Sequence, residues 1–93
     1  MKENLFLIVT KDWYDKTASG EKRVEYREDT GYWNNRLFHK MKFLYFKTIE
    51  FQCGYSRKYP RLKFNFTKIS IMETPESVKN TIKSRLCFAI YFK

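Results

Sequence analysis

Leu5-Phe6-Leu7-Ile8-Val9 is a continuous run of strand-forming apolar residues and predicts a buried strand. The pattern then changes period. Trp13 and Thr17 recur at a spacing of four, Thr10 is placed to cap, and Asp12 falls in the first turn. Gly20 can take the left-handed conformation that stops a helix. The expectation is a helix over Lys11 to Ser19. Over Lys22 to Glu28, Val24 and Tyr26 alternate with charged residues, which predicts a second strand. Glu28-Asp29-Thr30-Gly31 supplies turn chemistry. Trp33, Leu37 and Arg36 would share a face of a short helix between Tyr32 and Phe38.

Further along, apolar residues occupy odd positions: Met41, Phe43, Tyr45, then Ile49, Phe51 and Cys53. Lys47 interrupts the row, so two strands with a kink near Lys47-Thr48 are expected. Gly54 to Pro60 reads as a loop. Leu62, Phe64 and Phe66 alternate, and Ile69 and Ile71 resume in the opposite parity. Such a change predicts a bulge at Thr67-Lys68. Thr74-Pro75-Glu76 resembles a helix start, and the helix is expected to run to about Ser84. Cys87 to Phe92 is apolar on both faces and reads as an interior strand. Together these elements predict one α+β domain over residues 1–93: a small curled sheet or barrel of about five to six strands, with two to three short helices at its openings.

Charge adds a partner to this picture. The chain of 93 residues carries a net charge of +9. Residues 1–37 balance seven basic against seven acidic side chains, whereas residues 38–72 carry eight basic side chains and one acidic, Glu50. Basicity concentrated in the middle third is the footprint of a polyanion partner. The bland alternative is a solvated basic surface. With one histidine, His39, and no Cys-x-x-Cys, no metal site and no cofactor are expected. Cys53 and Cys87 sit in apolar runs and read as buried thiols, with a disulfide between adjacent strands as the alternative. No stretch is apolar enough to cross a membrane and no leader pattern opens the chain, so the reading is cytoplasmic.

Three constellations carry candidate chemistry. Period two puts Glu25 and Arg27 on one side of their strand, with Lys22 at its mouth. The carboxylate can accept from an amino group while the cations hold a phosphate or a keto oxygen. A solvated ion pair is the structural alternative, and by spacing alone it leads. Tyr32-Trp33 with Arg36 one turn on can stack an unpaired base, with Tyr32 the exposed ring and Trp33 equally a core residue. In the loop Gly54 to Arg61, Tyr55 and Tyr59 interleave with Arg57, Lys58 and Arg61, which suits a phosphate backbone with stacked bases.

The ensemble Gly20-x-Lys22-x-x-Glu25-x-Arg27, Tyr32-Trp33-x-x-Arg36-Leu37 and Phe51-x-x-Gly54-Tyr55 resembles the ASCH domain family of the PUA-like superfamily. The likeness runs from about Leu5 to Ile71. It implies a small PUA-like β-barrel with a basic cleft beside the Lys22-Glu25-Arg27 motif. The family has been proposed to bind RNA, and one branch hydrolyses the acetyl amide of a modified cytidine. That branch has a threonine where this chain has Glu25, and a later glutamate for which Glu50 and Glu73 are the candidates. The leading expectation is a module for RNA or a modified nucleotide, bound through Lys22, Glu25, Arg27, Tyr32, Arg36, Tyr55, Arg57, Lys58 and Arg61. A small hydrolase using Lys22, Glu25 and Arg27 is the first alternative, and a protein-interaction module the second.

Overall fold

Alternation sets the first strand into the molecule. In β1 (Lys2–Val9), Leu5, Leu7 and Val9 are buried in the main core, while Phe6 and Ile8 turn to the opposite face. The computed structural model describes residues 2–39 and 42–93, with backbone only for Lys2 and His39. The readings placed on Met41 and on the His39 side chain lie outside the described residues.

Helix α1 (Lys11–Ala18) starts at Thr10, whose Oγ1 accepts from the Trp13 N–H. It ends at Ser19, and Gly20 follows at φ +88°, the left-handed turn that the sequence required. Strand β2 (Val24–Glu28) begins two residues later than expected. Helix α2 (Gly31–Leu37), capped by the Thr30 hydroxyl, buries Leu37. Two short strands, β3 (Phe38–His39) and β4 (Lys42–Phe43), pair with each other. The long strands β5 (Phe46–Cys53), β6 (Leu62–Glu73) and β7 (Leu86–Phe92) complete the order β1-β5-β6-β7-β2. β1 pairs with β5 in parallel and the other neighbours are antiparallel. The result is an α+β fold with a curled half-barrel sheet of five strands and two helices.

Several expectations hold. The register of β6 against β7 slips between Phe66 and Lys68, at the parity change. That slip keeps Phe66 and Ile69 both in the core. β7 lies between β6 and β2 and is buried on both faces. Phe51 and Phe88 are fully enclosed, each contributing roughly 1.5–3 kcal/mol of burial energy.

Others need correction. The break between strands falls at Leu44-Tyr45, not at Lys47-Thr48, and Phe46 rather than Tyr45 enters the core. The helix expected from Pro75 to Ser84 is only a 3-10 turn, Glu76–Val78. Thr74 donates its hydroxyl to the Ser84 carbonyl instead of capping, and Glu28 accepts from the backbone N–H groups of Lys83 and Ser84. These bonds hold the segment as a loop while Val78 and Ile82 pack under it with Cys87. Both cysteines are free and buried. They sit in separate clusters on strands that β6 divides, so the disulfide alternative fails.

Candidate nucleic-acid interface

Glu25 and Arg27 share a face of β2 with their β7 partners Ile90 and Phe88, which belong to the main core. This overturns the solvated-pair reading, because the polar side of β2 faces inward. Glu25 is only 4% exposed. One of its oxygens accepts from the Lys22 ammonium and from the Tyr26 N–H, the other from Arg27 Nη2 at 3.0 Å. Burial pulls the Lys22 ammonium below its usual basicity, the Glu25 charge opposes that, and Arg27 adds to it. Lys22 Nζ also lies 4.7 Å from the centre of the Trp13 ring.

Arg27 then reaches further. The same Nη2 donates to the Ile8 carbonyl at 3.0 Å. β1 and β2 are the two outer strands of the sheet, so this guanidinium bridges the seam that an open half-barrel leaves. On the far side it stacks on Trp33 at 4.9 Å. Arg36 lies 5.2 Å from the same ring and donates to the Tyr32 hydroxyl at 2.9 Å. Tyr32 stands edge-on to Trp33 and is largely exposed.

These side chains line a cavity of about 290 Å³ whose floor is Phe6 and Ile8. The same two residues floor a second cavity of about 590 Å³, walled by Gln52, Tyr55, Arg57, Tyr59 and Arg61. Phe6 and Ile8 line both cavities, so the two adjoin along the outer face of β1, and we refer to them as the two lobes of a groove. Arg61 lies 4.8 Å from the centre of the Phe6 ring and 3.7 Å from the Glu50 carboxylate. Tyr55 is 87% exposed. The loop is anchored from below: Tyr14 donates its hydroxyl to the Pro60 carbonyl, and its ring packs 5.8 Å from that of Tyr59. Gly54, at φ +55°, donates to the Val9 carbonyl at 2.8 Å.

The structure therefore joins Arg27, Tyr32, Arg36, Tyr55, Arg57 and Arg61 along one groove. Lys58 sits on the exposed loop next to Arg57. Glu25 bonds to both Arg27 and Lys22, but Lys22 and Glu25 stand outside the groove. Lys22 opens onto a separate cavity of about 340 Å³, walled by Trp13, Tyr26 and Val78. Sequence reasoning missed Phe6, Ile8 and Gln52. In the run Leu5 to Val9 every residue is apolar, so nothing in the alternation marks which face stays open. Gln52, a lone amide between Phe51 and Cys53, was the available signal, since period two puts it opposite the core. Comparison with family models, curated proteins and solved structures returned no significant match.

Proposed function

We propose that this chain is a nucleic-acid-binding module that holds unpaired RNA in the groove over β1, and that it is of the ASCH, PUA-like kind its motifs resemble. The observation that carries the reading is the groove itself. The guanidinium groups of Arg27, Arg36, Arg57 and Arg61 line its lobes together with Phe6, Ile8 and the exposed rings of Tyr32 and Tyr55. Stacking on rings with cations along the backbone is how single strands are held without duplex geometry. The concentration of charge in residues 38–72 supports the same partner. Arg27 anchors one lobe while Arg36, Arg57, Lys58 and Arg61 meet phosphates.

Titration with single-stranded RNA over a range of salt tests this. Four phosphate contacts give a log–log slope of about −3 at roughly −0.7 per contact. Replacing Arg57 and Lys58 together by alanine is expected to reduce that slope by roughly half. Binding that ignores both salt and this double change would overturn the proposal.

A second reading keeps Lys22 as a general base on a modified nucleoside, in the cavity beside Trp13 and Tyr26. It is favoured by the burial that weakens the Lys22 ammonium. Against it, both Glu25 oxygens are engaged, and Arg27 is spent at the seam rather than turned toward that cavity. Turnover of acylated nucleosides by the native chain but not by Lys22→Ala would shift the balance to this reading.

A further inference from the structure

We propose that Gln52 reads the base in the larger lobe, favouring bases with an exocyclic amine, such as adenine and cytosine, over uracil; this rests on the groove holding unpaired RNA. Gln52 lies on β5 beside Ile8 of β1, on the face turned away from the core, and it lines the lobe. Its Nε2 donates to the Gly54 carbonyl at 2.8 Å. Gly54 is itself held, at positive φ, by its N–H to Val9. A carbonyl can only accept, so the amide nitrogen must face Gly54 and Oε1 must point the other way. Among the described residues no donor reaches that oxygen. No buried side-chain polar atom among them lacks a partner, so the unpaired Oε1 is reached by solvent, at a residue that lines the lobe.

The surroundings give this acceptor its meaning. Arg57 and Arg61 in the same lobe only donate, and the Ser56 hydroxyl already accepts from the Lys58 N–H at 3.1 Å. The Tyr55, Ser56 and Tyr59 hydroxyls can rotate to donate or accept, whereas Oε1 is a fixed acceptor and selects a ligand edge that offers a hydrogen. The amines of adenine and cytosine project from the base edge. Uracil has one edge donor, its N3–H, and an acceptor bonded to it lies between two carbonyl oxygens whose repulsion weakens that bond relative to one from an amine. Phe6 at the floor and Tyr55 at the rim supply ring faces that any base can use, so stacking gives affinity and Gln52 gives the choice.

The test is fluorescence anisotropy of the full chain with short single-stranded RNA homo-oligomers of A, C and U at one fixed low salt. A fourth oligomer carries purine riboside, which keeps the stacking face of adenine and lacks only its amine. A and C are expected to bind about tenfold tighter than U, a difference in the range of one hydrogen bond. The purine-riboside oligomer is expected to lose the advantage of A. Gln52→Met is expected to bring the A-to-U ratio toward one. Equal binding of A and U, equal binding of adenine and purine-riboside strands, or an unchanged ratio in Gln52→Met would each overturn the proposal. Absence of binding by every oligomer would remove the groove reading itself, and this inference with it.

Discussion

At the scale of single residues, the decisive group is Glu25. A carboxylate with so little solvent is tolerated because two cations and a backbone N–H meet it. Such a pair need not stabilise the fold relative to an apolar replacement, but removing one partner leaves an uncompensated charge. Glu25→Gln is expected to cost about 3–5 kcal/mol, read as a lower urea midpoint. Lys22 adds a pH signature. Its folded pKa is lowered from 10.5, chiefly by burial, so just below 10.5 the unfolded chain holds more protons. Stability contributed by this group therefore rises as pH climbs from the folded value toward 10.5. Tyr14 and Tyr26, whose pKa values burial raises above 10.0, work in the opposite sense at higher pH. The Lys22 component is isolated by subtracting the pH profile of Lys22→Met from that of the native chain. A flat difference would remove the assignment.

At the scale of elements, helix α1 supports the Gly54 to Arg61 loop beside that loop's own hydrogen bonds. The Tyr14 hydroxyl and ring, with the Lys11 ammonium 5.0 Å above Tyr59, form its support. Tyr14→Phe removes the bond to Pro60 and keeps the ring. The expected loss is about 1 kcal/mol, together with faster tryptic cleavage after Arg57 or Lys58 in the native state. Unchanged cleavage would mean that the ring alone fixes the loop. The elements also show where the chain could be read in advance. Thr10, Gly20 and the parity change at Thr67-Lys68 act through their immediate neighbours, and each appeared where the sequence placed it. The segment from Thr74 to Ser84 could not be read this way. Its helical signals are overridden by Glu28, which arrives from a distant strand to take the N–H groups of Lys83 and Ser84.

At the scale of the whole molecule, a five-stranded sheet with two outer strands has to manage those strands. Here the sheet curls until β1 and β2 approach, and Arg27 spans the remaining gap to the Ile8 carbonyl. Arg27→Met is expected to loosen the seam. Amide exchange should accelerate in β1 and β2 while β6 and β7, interior to the sheet, retain their protection. Uniform acceleration would instead indicate global destabilisation without a special role at the seam. No helix among the described residues is long and apolar enough to cross a membrane.

What depends on near neighbours was legible along the chain: the Thr10 cap, the Gly20 turn, the alternation of Glu25 and Arg27 against Val24 and Tyr26, and the basic middle third. Which way those faces turn came from the packing of strands distant in sequence. Period two says that Glu25 and Arg27 lie together, but whether that side meets water or core depends on where β7 and β1 come to rest. For the same reason Phe6 and Ile8 could not be assigned to a groove from an all-apolar run. Alternation distinguishes two faces of a strand, and only the curl of the sheet makes one of them the inside.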